Sequence, residues 1–433
     1  MGILNDIKAK QKRGEIFMRT LKIHIKPSHV DYKEAMRQME ISKRLYNKAN
    51  YMARQSYFRH CNKPYTLTGD PVLDDWICGD NYIGNPFNMQ KLRKPLTSKI
   101  NINSKVATGI FHKVANDWQS FFKLKKVGLK ANIPHYKKNP LNNVPYTKQA
   151  ISHKALRDGF IKPAGFKEGV QLPSWFDPES VQACSLFQKN GKIWLAVIYH
   201  EAEIPQIDYE SGTVAAIDFG VNDIVAMAYS DKSSPIVISG KQLKSYNREW
   251  NKAMALNKTK QKHLSSRFID LITSKRNLRV EQITNRTANV VVQELVKHKV
   301  SKVILGKNDG WKQKVNIGKR NNQNFVQIPF TRLADNIAYK ARSIGIEVQF
   351  QEESYTSKAS FFSQDPIPIF EERAKHSFSG KRISRGLYKD GERLIHADIN
   401  AAFNIMRKAG AGNVVKFWKD KINIQPLGVK LYT

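Results

Sequence analysis

GTVAAIDFGVNDIVAMAYSD (212–231) reads as two apolar strands, Val214 to Phe219 and Ile224 to Tyr229, joined by a Gly-Val-Asn-Asp turn. Asp218 stands inside the first of them. An ionised carboxylate in an apolar strand is costly unless a cation or a partner compensates it. Taken alone, a strand-end aspartate forming a turn with Gly220 and Asn222 is the ordinary explanation, so the surroundings must decide.

Downstream, PIVIS (235–239) supplies a third strand, and 241–300 is a long basic helical tract with Trp250, Leu264, Phe268, Ile272, Ile283, Val290, Val291 and Leu295. A fourth strand spans Lys302 to Leu305, a helix 328–344, and a fifth strand Ile346 to Phe350. HADINAAFNIMRKAG (396–410) reads as a helix led by Asp398 and ended by Gly410. A three-strand meander followed by helix, strand, helix, strand, helix is the RNase H order, a mixed α/β sheet.

Nucleases of that fold place an Asp on the first strand and another on the last helix, which raises the standing of Asp218 and Asp398. Convergent carboxylates hold paired Mg²⁺ ions for phosphodiester cleavage, and hard oxygen ligands suit Mg²⁺ better than zinc. A third carboxylate is expected at the end of the fourth strand, where the chain reads Leu305-Gly306-Lys307-Asn308-Asp309 without a glutamate. Glu352 and Glu353 end the neighbouring fifth strand. Alternation turns only one of them toward a metal.

Upstream, MRTLKIHIK (18–26) alternates as a half-buried strand, and 32–58 reads as a helix. Residues 63–86, rich in Pro, Gly and Asp, read as irregular. Val106, Ile110, Val114 and Trp118 make a helical stripe over 104–122, and 181–187 and 193–199 read as strands. Lys123, Lys125, Lys126, Lys137 and Lys138 come with no acidic residue among them and with Tyr136 interleaved. A solvated loop would also look basic, but an aromatic among lysines favours nucleic-acid contact.

The 433 residues carry 72 Lys and Arg against 37 Asp and Glu, a formal charge of +35. That excess is spread over 8–13, 123–138, 267–279, 312–320 and 373–393, which suits a long channel for a polyanion. A hydrophobic content of 41% excludes a disordered tail. No run approaches the roughly 18 apolar residues of a membrane span, and the first residues lack a secretory apolar stretch. Cys61, Cys78 and Cys184 are too far apart for a disulfide framework or a metal knuckle. The expected setting is cytoplasmic and nucleoid-associated, with no membrane partner.

The segments AAIDFGVND (215–223), EESYTSKAS (352–360) and HADINAAFNIMRK (396–408) resemble the TnpB family, RNA-guided nucleases of insertion sequences related to type V CRISPR effectors. SKVATGIFHKVANDWQSFFKLKK (104–126), IPHYKK (133–138) and CSLFQKNGKIWLAVIY (184–199) extend the resemblance over most of the chain.

The resemblance implies an α/β multidomain protein. A wedge β-barrel would span 1–30 and 131–210, and a helical recognition insert 31–130. A RuvC-like nuclease would span 211–355 and 396–415, with a target-binding insert at 356–395 and a tail at 416–433. It implies a guide RNA, target double-stranded DNA beside a short adjacent motif, and two Mg²⁺ ions on Asp218, Glu353 and Asp398, with Glu352 in reserve. Tyr355, Thr356, Lys358, Lys381, Arg382 and Arg385 are expected to join the lysines and Tyr136 at nucleic acid. Many relatives carry a four-cysteine zinc ribbon before the last aspartate. Residues 356–397 hold no cysteine, so zinc is not expected and 378–388 reads as a basic hairpin. Three rival functions use the same features: a DNA-strand-transfer transposase, a nuclease-dead RNA-guided repressor and a nonspecific RNA-binding protein.

Overall fold

The computed structural model describes residues 17–201, 212–260, 266–307, 327–369, 376–384, 386–411, 418 and 421–431. The chain divides into two compact units, Met1–Glu203 and Ile204–Thr433. The basic stretches 8–13 and 312–320, Asp309 and Arg385 lie outside the described residues.

The first unit runs β1 (Phe17–Ile25), α1 (Tyr32–His60), α2 (Pro71–Cys78), α3 (Pro86–Gln90), α4 (Arg93–Thr97), α5 (Ser104–Lys126), β2 (Val144–Thr147), α6 (His153–Arg157), β3 (Phe160–Ile161), β4 (Val170–Gln171), β5 (Val181–Lys189) and β6 (Lys192–Glu201). Its sheet is antiparallel in the order β1-β6-β5-β2, with β3 and β4 as a separate ribbon. Among the described residues no ladder joins β1 to β2. Five helices intervene between β1 and β2 and share one core. Leu45, Tyr46, Ala49 and Ala53 of α1 meet Ile110, Val114 and Trp118 of α5, on the expected four-residue stripe.

The stretch 63–86 is more ordered than its composition suggests. Asp70 caps α2 by accepting from the Val72 and Leu73 amides, and Pro71 occupies the first turn, where its missing N–H costs nothing. Asp-Pro here starts a helix, and Trp76 and Ile77 bury against the helical core.

The second unit runs β7 (Thr213–Asp218), β8 (Asp223–Tyr229), β9 (Ile236–Ser239), α7 (Lys241–Lys260), α8 (Ser266–Lys297), β10 (Val300–Gly306), α9 (Phe330–Arg342), β11 (Glu347–Gln351), β12 (Lys381–Ser384), β13 (Leu387–Asp390), β14 (Arg393–His396), α10 (Ala397–Lys408), β15 (Asn423–Ile424) and β16 (Leu427–Val429). The tract 241–300 is thus two helices over its described residues. The main sheet has the order β11-β10-β7-β8-β9-β16, with β7, β10 and β11 mutually parallel and β7-β8-β9 an antiparallel meander.

Period-two alternation divides this sheet between two cores. Ala215 and Ile217 of β7, with Val303 and Leu305 of β10, face Val291 and Leu295 of α8 and Leu333 and Ile337 of α9. The opposite face carries Ala216, Ala226, Ala228 and Ile304, and α10 lies on it through Ile399, Ala402, Phe403 and Ile405. Three alanines remove bulk beneath the helix, which lets α10 approach the strands closely. Each large apolar side chain buried there contributes roughly 1.5–3 kcal/mol.

Candidate active site

Asp218 follows Ile217 at the end of β7, so alternation turns it with Ala216 toward the α10 face. Asp398 stands in the first turn of α10. The parallel register pairs Leu305 with Ile217, which sets Gly306 level with Asp218 at the carboxyl ends of the strands. Open α/β sheets gather their ligand groups at that edge.

Gly306 explains the missing strand-end glutamate. A Cβ built on it would meet Glu353 Oε2 at 2.5 Å, Ile405 Cδ1 at 2.8 Å and the Ile217 carbonyl at 3.2 Å. The space a side chain at 306 would need is filled by the Glu353 carboxylate, delivered from just beyond β11. Glycine at 306 and glutamate at 353 are therefore one arrangement.

The electrostatics couple Asp218 to Asp398 on one side and to Glu353 on the other. Burial raises Asp218 well above the ordinary carboxylate range, the charge of Asp398 raises it further, and Arg382 offsets part of this. Burial likewise raises Glu353, followed by the charges of Asp218 and Glu352, with Lys408 opposing. Like charges held together in a poorly solvated place disfavour ionisation and favour a bound cation. Arg382 Nη2 donates to Asp398 Oδ1 at 2.8 Å.

Glu352 has the opposite environment. Lys408, only 8% exposed, donates from Nζ to Glu352 Oε2 at 2.5 Å, to the Pro368 carbonyl at 2.9 Å and to the Ser354 carbonyl at 3.0 Å. Burial alone would raise the Glu352 carboxyl. Hydrogen bonds from Lys408 and Ser354 outweigh it and hold the group below its ordinary value. Consecutive glutamates thus divide the work: one anchors the loop on α10 and the other faces the aspartates.

The loop after them is also tied to α10. Asn404 Nδ2 donates to the Thr356 and Ala359 carbonyls at 2.9 and 2.7 Å, and Asn400 Nδ2 to the Ala359 carbonyl at 2.8 Å. Thr356 is 2% exposed and donates from Oγ1 to the Glu353 carbonyl at 2.8 Å. The Thr356 hydroxyl is thus engaged inside the loop. Tyr355 adopts φ 65° and meets the His376 ring edge-on, with centroids 4.8 Å apart. Lys358, Lys381 and Arg382 are exposed, as are Lys123, Lys125, Lys126, Tyr136 and Lys138 on the first unit, while Lys137 is half-buried.

Two polar residues escaped the sequence reading. Asp223, His396 and Asp398 each place a ligand atom within 4.8 Å of the others, a set that could hold one cation. Burial raises Asp223, with His396 opposing and Asp398 adding to the rise. His396 Nε2 stands 3.5 Å from Asp223 Oδ2. The available signal was the hairpin. A turn of four residues after Asp218 returns Asp223 to the same sheet edge, and His396 precedes Asp398 by two.

The chain is similar to several known proteins. Residues 198–312 match the OrfB_IS605 family, described as a probable transposase. The chain is 21% identical to TnpB-like protein ORF457 of Acidianus two-tailed virus, over 90% of this chain and 86% of that protein. It is 26% identical to the CRISPR-associated endodeoxyribonuclease Cas12f2 of Micrarchaeota archaeon (strain CG1_02_47_40), over 55% of this chain and 46% of that one. In a solved Cas12f1–sgRNA–target DNA complex one chain aligns with 90% of this protein and 98% of itself, at 17% identity and a TM-score of 0.33. The segment 198–312, which holds Asp218 and Asp223, is thus similar to a family of probable transposases, and most of the chain is similar to a TnpB-like protein.

Proposed function

We propose that the protein is an RNA-guided DNA endonuclease of the TnpB type, with Asp218, Glu353 and Asp398 as its metal-binding carboxylates. The observation that carries this reading is the exchange at Gly306, where the Glu353 carboxylate fills the space of an absent strand-end side chain beside Asp218. A nuclease-dead binding protein would have no use for that replacement.

The donor set fits Mg²⁺: carboxylate oxygens, mutually repelling and partly shielded from solvent. Bound there, paired Mg²⁺ ions supply an activated water and stabilise the leaving oxygen. The chain's own groups do the rest. Lys408 and Glu352 hold the loop that presents Glu353, and Asn400 and Asn404 fix that loop to the helix bearing Asp398. Arg382 stands where it can pass from Asp398 to a substrate phosphate. The wedge, recognition, nuclease and target-binding division set out above is part of this proposal, as are the guide RNA and the target-adjacent motif. Among the described residues no helix is long and apolar enough to cross a membrane.

The test is purification with co-expressed flanking RNA, then cleavage of a plasmid library carrying a randomised adjacent motif. Guide-dependent breaks that vanish in Asp218→Ala are expected. Cleavage persisting in that variant, or cutting without RNA, would overturn the reading, and joined rather than broken ends would identify a strand-transfer enzyme.

A further inference from the structure

The segment IPHYKK (133–138) has no regular secondary structure, yet side chains of α1 hold it in place. Asn47 accepts from the Lys137 amide at 2.7 Å and donates to the Lys137 carbonyl at 3.1 Å. Asn50 and Arg54 both donate to the Pro134 carbonyl, at 3.0 and 3.1 Å. Asn50 is itself fixed by Trp118 Nε1 at 2.9 Å. The ordering entropy is therefore settled on folding, and the side chains between these anchors are presented in a set geometry.

Those side chains border a groove of about 620 Å³, whose lining includes Tyr46, Asp117, Tyr136, Lys137 and Lys138. That is within the roughly 300–1,000 Å³ of small-ligand sites. Tyr136 is 40% exposed, with the Arg54 guanidinium 4.9 Å from its ring centroid. In the groove, Asp117 accepts from Tyr46 at 2.7 Å and from Lys113 at 2.5 Å, with Lys137 Nζ 3.7 Å away. Lys137 Nζ also lies 4.3 Å from the Tyr46 ring centroid. Burial and then the bond to Asp117 raise the Tyr46 hydroxyl, so it stays a neutral donor.

We infer that this groove is a binding site for a single unpaired nucleotide, its base stacked on Tyr136 and its phosphate held by the exposed Lys138. Only an unpaired or terminal base can offer its face to a ring, because a base inside a duplex is stacked on both sides. A lysine grip alone would serve any polyanion. The exposed tyrosine backed by a guanidinium, set between anchored backbone positions, singles out an aromatic ligand carrying a phosphate. The inference rests on the nucleic-acid part of the proposed function and is independent of the carboxylates and of cleavage.

The test uses the full chain and a ten-residue RNA carrying one 2-aminopurine, beside DNA of the same sequence and the matching duplex. Salt is raised so that nonspecific phosphate binding falls away. Quenching of the fluorescent base is expected with the native chain and with Tyr136→Phe, and not with the duplex. Tyr136→Leu should abolish the quenching and weaken single-strand binding about 5- to 100-fold. Tighter binding of the RNA arm assigns the pocket to the guide, and tighter binding of the DNA arm to a target strand. Equal quenching and affinity in Tyr136→Leu, with Tyr136→Phe folded by circular dichroism, would overturn the inference. Because Asp218→Ala leaves this groove untouched, loss of cleavage there with binding retained separates the two proposals.

Discussion

The two units each bury carboxylates, and they treat them differently. In the first, Asp117 is met by a tyrosine hydroxyl and two lysines, so its charge is compensated within the protein. In the second, Asp218 and Glu353 lie among other acids and are driven upward, with Arg382 and Lys408 only partly offsetting them. The contrast recurs between adjacent residues: Glu352 has Lys408, while Glu353 has Asp218. A carboxylate paired with fixed cations organises structure. A cluster of carboxylates that the protein's own cations only partly neutralise would gain most from an added cation.

Removing a member of the cluster should have the largest effect. Asp398→Ala is expected to abolish guided cleavage and the tight binding of Mn²⁺ followed by electron paramagnetic resonance. Glu353→Gln should behave the same way, and Glu352→Gln should retain measurable activity. If Glu352→Gln were the more damaging, the assignment of the two glutamates would be reversed.

The shared space at Gly306 gives the next test. Gly306→Ala should impair metal binding, because its Cβ would displace the Glu353 carboxylate, from which it would lie 2.5 Å. In a Glu353→Ala background the same substitution should cost much less, and Gly306→Glu there should recover part of the affinity. A double-mutant cycle showing simple additivity would refute the exchange.

Lys408→Met leaves every cluster residue intact, loosens the loop that presents Glu353 and removes a charge that partly offsets that carboxylate. About a 10- to 100-fold loss of metal affinity is expected, the scale of outer-shell changes at metal sites. Lys408→Arg should restore a share of it.

Smaller still is a pH effect without metal. Asp218 and Glu353 have folded-state pKa values above their unfolded ones, so each holds its proton more tightly when folded. Their contribution is fully present below about pH 4 and is lost as pH rises through the raised folded values. In chelator, the melting temperature should fall from mildly acid conditions past neutrality. Glu353→Gln should flatten the decline, and Mg²⁺ should restore stability more at pH 8 than at pH 5. On the first unit, Asp117→Ala should cost about 1–3 kcal/mol, because it strands the buried Tyr46 hydroxyl. Lys113→Ala should cost under about 1 kcal/mol, since its exposed ion pair is screened.

Much of this was legible in the chain. The meander and the helix–strand alternation of the second unit followed from hydrophobic periodicity, Asp218 stood out as an acid in an apolar strand, and Asp398 was marked by its place at the head of the last helix. The helix at 71–78 was obscured because Asp and Pro mark both turns and helix starts, and only the capping bonds of Asp70 distinguish them. The burial of Thr356 was not legible, because nothing local shows that Asn404 of α10 reaches its loop.

The sequence by itself determined what is local and periodic: strand faces, helix stripes, the +35 charge and the absence of a glutamate at 306. Tertiary structure decided which glutamate fills that absence, that Asp223 and His396 join Asp398, and that a six-residue segment stands beside a groove. Each depends on side chains brought together from distant positions, where sheet register and the close approach of α10 set the distances. Charge and periodicity cannot encode those distances one residue at a time.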